Sequence, residues 1–274
     1  MSTFRDQLKS YFEPIGQRLL GKQGFSRVPK QDPVQPRPIA QMMRDLKQVD
    51  ELSWGRYAFS RDPLNRRIPA ERREELIRRA NECGREYAKR MAQEYGTQDP
   101  KELAAKMGMS VAHPDMPKDP GRVLFAEFKE PNRIFVYMDA VHKAGETMDR
   151  PGMRKVMQDL DIERLLLAHE LFHFVEEKYK KEIFTRTEKI DLPSIPMVKN
   201  RSTLMSLGEL AAMEFARVLN HLSYSPYLMD VMLTYGYSQD GAIRLYEEIM
   251  KIADLPIPEP EQEAYSAPRS VYDM

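Results

Sequence analysis

The chain has 274 residues, 42 of them basic and 42 acidic, so its formal net charge is zero and global charge points neither to nucleic acid nor to a membrane surface. A hydrophobic share of 42% over this length suits one catalytic domain with extensions better than two full domains. The single Cys83 excludes an intramolecular disulfide framework and fits a reducing cytosol. No apolar run approaches a membrane span, and Met1–Lys9 lacks the apolar core of a signal peptide, so a cytoplasmic location is expected.

Taken in order, residues 1–69 read as an N-terminal extension. Phe4, Leu8, Phe12 and Ile15 have helical spacing, and a proline-rich linker follows over 26–40, with Pro29, Pro33, Pro36 and Pro38. Short helical and irregular pieces are expected from Gln41 to Pro69. Trp54, Tyr57 and Phe59 need an apolar surface, so this part should dock on the main domain.

The catalytic unit is expected over 70–255. Glu71 to Tyr95 reads as a long helix with Ile77, Ala80, Gly84, Tyr87, Met91 and Tyr95 as its inner stripe. Residues 56–90 carry eleven Arg or Lys against six Asp or Glu. The acids are interleaved, so a solvated helix face is favoured over a nucleic-acid surface. Asp99-Pro100-Lys101-Glu102 is a helix start, with Asp99 as cap and proline at the first helical position, and Gly108 ends that helix. Prolines 114, 117 and 120 exclude a recognition helix directly after it. Val123–Phe128 and Ile134–Met138 flank Glu130-Pro131-Asn132-Arg133 and predict a β-hairpin.

The segment Leu165-Leu-Leu-Ala-His169-Glu170-Leu-Phe-His173-Phe-Val175 contains an HExxH motif in an apolar run. On a helix, two histidines four positions apart lie one turn apart on one face. Both imidazoles then reach one tetrahedral metal, most often Zn²⁺, and Glu170 is placed as general base toward a metal-activated water. Burying these groups without a compensating partner is costly, which favours a metal over an accidental core helix. A third ligand is needed. Glu209, set among the small residues of a second helical pattern from Ser206 to Leu219, is the favoured choice. The competing reading makes Ser206 and Glu209 a capping box. Glu214 is the fallback ligand, while Glu176 and Glu177 stand too close on the histidine helix to close the site. Two further helices are expected over Tyr227–Tyr235 and Asp240–Ala253, and residues 256–274 form an acidic, proline-containing tail.

On these residues the chain resembles the ImmA/IrrE family of zinc metallopeptidases. The likeness is carried by Leu103–Ala112, the two hairpin strands, Ala168-His-Glu-Leu-Phe-His173 and the pattern Glu209-x-x-Ala212-x-x-Phe215-Ala216, over roughly 70–225. The resemblance implies an α+β fold: a mostly helical, zincin-like metallopeptidase domain with a small antiparallel β-sheet beside the HExxH helix. It implies His169, His173 and Glu209 as zinc ligands and Glu170 as catalytic base. It also implies a protein or peptide substrate, often a repressor of the helix-turn-helix type. An edge strand beside the active helix would receive an extended peptide. Met213 stands where the family commonly has Asn or Asp, Phe172 replaces a frequent glycine, and Val141–Leu160 is long. Methionine cannot support a ligand histidine, so that support must come from elsewhere. The alternative function is a non-proteolytic metal-bound interaction or sensor protein on the same fold. Intact Glu170 argues against it. A DNA-binding regulator is the weakest reading, and no membrane partner is expected.

Overall fold

The computed structural model describes residues 33–116, 124–158, 160–192 and 200–261. The helix expected within 1–25 and most of the tail fall outside them.

Over residues 33–38, Pro33, Pro36 and Pro38 leave the chain without regular structure, and helix begins at Ile39. Two short helices follow, α1 (Ile39–Leu46) and α2 (Glu51–Ser60). Asp50 caps α2, accepting from the Ser53 N–H at 2.7 Å. A 3₁₀ turn over Asn65–Arg67 leads to α3 (Ala70–Tyr95), which ends on the left-handed Gly96. The inner stripe of α3 is buried as its spacing predicts, except Tyr95, which is half-exposed. Arginines of α2 and α3 pair with acids: Arg56 with Glu74, Arg85 with Glu214 and Arg90 with Glu182. Cys83 is buried among these helices, and desolvation pushes its thiol up to about 12, which makes it a packing residue.

Helix α4 (Pro100–Lys106) starts on Asp99, whose side chain accepts from the N–H groups of Lys101 and Glu102. The sheet comprises β1 (Ser110–Ala112), β2 (Ala126–Lys129) and β3 (Arg133–Val136), in the order β1-β3-β2. The hairpin β2–β3 is antiparallel, but β1 runs parallel to β3, so the sheet is mixed rather than purely antiparallel. The link from β1 to β3, residues 113–132, includes β2, and a connection of that length lets the chain return in the same direction for a parallel pair. The long stretch before the motif folds into α5 (Met138–Met148) and α6 (Met153–Met157).

Helix α7 (Ile162–Lys178) carries the HExxH motif and is capped by Asp161, which accepts from the Arg164 N–H. A short α8 (Phe184–Thr187) and an unanticipated antiparallel pair, β4 (Ile190–Leu192) with β5 (Asn200–Ser202), lead to α9 (Met205–Leu219). Helices α10 (Leu228–Tyr235) and α11 (Gln239–Ile252) complete the order. Among the described residues the architecture is α+β and mostly helical, and no helix is long and apolar enough to cross a membrane.

One apolar cluster runs through the structure and includes Met42, Met43 and Leu46 of α1 and Trp54, Tyr57 and Phe59 of α2. Trp54 stacks on Tyr227 with ring centroids 5.8 Å apart. The residues expected to dock therefore share the core of the helices that hold the site. The start of the tail docks as well: the Gln41 amide donates to the Glu259 carbonyl at 2.7 Å and accepts from the Glu261 N–H at 2.8 Å.

Helices α3 and α9 pack closely. A Cβ at Gly84 would stand 2.3 Å from the Ala211 carbonyl oxygen, so only glycine permits this approach. Gly84→Ala should cost about 3 kcal/mol in urea denaturation, because overpacking against backbone outweighs the ~1 kcal/mol gained in helix propensity. Unchanged or higher stability would show that the two helices separate without strain.

Candidate metal centre

Helix α7 projects His169 and His173 from one face, and α9 brings Glu209 against them. His173 Nε2 lies 3.2 Å from His169 Nε2. Glu209 Oε2 is 3.3 Å from His169 Nε2, and Oε1 is 3.6 Å from His173 Nε2. A tetrahedral ion bonded at about 2.1 Å holds its ligand atoms about 3.4 Å apart, so the three groups sit at the spacing such an ion requires. All three are buried, and Glu209 Oε2 has no hydrogen-bond donor among the described residues. A buried acceptor in that state needs a partner. This group could hold a metal ion.

Glu209 is therefore turned to the histidines and is not part of a capping box. Helix α9 begins at Met205 with no side-chain cap, and the Ser206 N–H is taken by Asp62 Oδ2 at 3.0 Å. Glu214 is elsewhere, bonded to Arg217 at 2.6 Å and to Arg85 at 3.0 Å, which removes it as fallback ligand. Met213 supports neither histidine and instead lines a cavity beside the site.

The carboxylate beside His173 Nδ1 is that of Glu176. Its Oε2 lies 3.9 Å from His173 Nδ1 and 3.3 Å from Arg186 Nε. Gly208 leaves room for it: a Cβ there would come within 3.0 Å of Glu176 Oε1. Burial works to raise the Glu176 pKa, but His173, Arg186 and Thr185 outweigh it and hold the carboxyl below its ordinary range. For His173, burial opposes the charged form, yet Glu176, Glu209 and Glu170 together push its pKa up to about 9. A metal needs the neutral imidazole, so metal uptake displaces a proton here. Sequence spacing carried this signal, since Glu176 follows His173 by three positions on the same helical face. Glu176→Gln should weaken metal affinity about 10–100-fold in a competitive chelator titration, the usual result of losing a partner that orients a ligand histidine. Unaltered affinity would make the glutamate a packing residue.

Glu170 faces the sheet. Its Oε2 accepts from the Phe128 N–H of β2 at 2.7 Å. Burial raises its pKa; the two histidines and this N–H lower it without cancelling the effect. In β2 the polar groups of successive residues alternate in direction. The Phe125 carbonyl accepts from the N–H of Tyr137, just past β3, so those of Ala126 and Phe128 point outward toward α7. Among the described residues β2 is a sheet edge.

The adjoining cavity is partly open to solvent, has a volume of about 50 Å³ and is walled mainly by apolar side chains such as Phe125, Leu165, Leu166, Met229 and Leu233. Its ionisable lining residues are His169, Glu170 and Asp230. Asp230, on α10, was not anticipated. It is buried and accepts from the Tyr57 hydroxyl of α2 at 2.7 Å, and desolvation pushes its carboxyl up to about 6 despite Tyr57 and Arg61. A lone acid in the apolar run Leu228–Leu233 was the available signal.

No protein family, curated protein or solved structure matches the chain, so the site is read from its own geometry.

Proposed function

We propose that the protein is a zinc-dependent endopeptidase acting on a protein or peptide substrate, similar to the ImmA/IrrE metallopeptidases that its motifs resemble. The observation that carries this reading is the buried triangle of His169, His173 and Glu209, with Glu170 beside it and bonded to an edge strand. A bare structural site has no use for that fourth group. Two nitrogens and one carboxylate are a donor set suited to Zn²⁺, and three protein ligands leave one position open. When bound, zinc lowers the pKa of a coordinated water to about 7 and polarises a carbonyl.

The chain's own groups supply the rest. Glu170 accepts the proton of the attacking water at a carboxylate oxygen and returns it to the leaving amine. His169 and His173 are kept in place by their helix, and the Glu176 carboxylate lies beside the ring of His173. The outward polar groups of β2 offer an extended peptide main-chain pairing beside Glu170.

The test is hydrolysis of unstructured proteins by the zinc-loaded chain, lost on chelation and in Glu170→Gln. Absence of hydrolysis across a broad protein library would favour the alternative, a metal-bound protein that binds a partner without cutting it.

A further inference from the structure

Asp230 is the ionisable group of the cavity that takes no part in the metal triangle or in proton transfer. Its surroundings are not those of a solvated acid. It shares the cavity lining with Met229, Leu233 and Leu165, and the residue is 5% exposed. Tyr57 holds Oδ2 from a helix 173 residues away in sequence, and Arg61 lies behind, over the Tyr57 ring at 4.7 Å. The carboxylate is thus fixed in orientation at the wall of an apolar cavity that also reaches His169 and Glu170.

What can fill such a space is restricted from two sides. A short polar group leaves the apolar walls wet. A wholly apolar side chain would cover the walls but cut Asp230 off from water, leaving a buried acid with too few donors. A long aliphatic stem with a cation at its end satisfies both, its methylenes against the walls and its charge on the carboxylate. We propose that this cavity is the primary specificity site and that it takes a lysine or arginine side chain next to the scissile bond, with Asp230 as the residue that reads the charge. The substrate's being a peptide rests on the peptidase reading; the recognition of an alkyl cation does not.

Binding separates the two. The full chain, metal-free and zinc-loaded, is titrated with N-acetyl-lysine amide, with N-acetyl-norleucine amide, which has the same stem without the ammonium, and with leucine amide, which carries only a free α-amine. Ligand-observed NMR gives the affinities. The lysine probe should bind the wild type at least about tenfold more tightly than the norleucine probe, the effect of one charge-assisted hydrogen bond in a partly wet site. Asp230→Asn should erase that ratio. Equal or tighter binding of norleucine to the wild type, or no binding of the lysine probe, overturns the proposal and needs no variant to fold. Binding of leucine amide alone would assign the acid to a chain terminus and also overturns it. Failure to hydrolyse any protein would sink the peptidase reading and leave this result standing.

Discussion

Replacing either histidine, as His169→Ala or His173→Ala, should abolish stoichiometric zinc binding. Each substitution leaves one nitrogen and one carboxylate, where a tetrahedral protein site uses at least three protein ligands. The expected loss exceeds about 100-fold, the upper end for removing a group that only supports a ligand. Glu209→Gln should also weaken binding strongly, since it removes the charge from the carboxylate placed 3.3 Å and 3.6 Å from the two Nε2 atoms. Glu214→Gln is the control: its partners are Arg85 and Arg217, and zinc content should be unchanged. Elemental analysis after exhaustive dialysis reads all four. Full zinc retention in both histidine variants would dismiss the site.

Glu170→Gln should keep zinc and lose hydrolysis. The amide oxygen can still accept from the Phe128 N–H, so the contact to β2 and the local shape survive. What disappears is the ability to take up a proton, worth about 10²–10⁴ in rate for a positioned base. The measurement is the turnover of an unstructured protein substrate with zinc content determined on the same sample. Hydrolysis that survives at the wild-type rate would exclude Glu170 as the base, whatever the metal does.

The parts of the site that were legible in the sequence are those set by one helix. His169, Glu170 and His173 follow from the spacing of α7 alone. Glu209 was legible only as one of two uses for its carboxylate. The choice was made by Asp62, which takes the Ser206 N–H from 144 residues upstream, a contact no local pattern encodes. Tyr57 and Asp230 meet for the same reason, across 173 residues. The long helix α3 was readable from its apolar stripe. Strands of three residues, β1, β4 and β5, are too short to show an alternating pattern, so the parallel pairing of β1 and the whole β4–β5 pair were invisible.

The bond between Glu170 and Phe128 means that the edge of the sheet is already in use. A peptide that aligns on β2 and offers a carbonyl to that amide must displace the carboxylate from it, exchanging one acceptor for another. The exchange forfeits a charged hydrogen bond of about 1.5–3 kcal/mol. On the proposed peptidase reading, it in return sets Glu170 loose at the moment the substrate arrives. Docking and readiness are then a single equilibrium: whatever tightens one favours the other by the same amount.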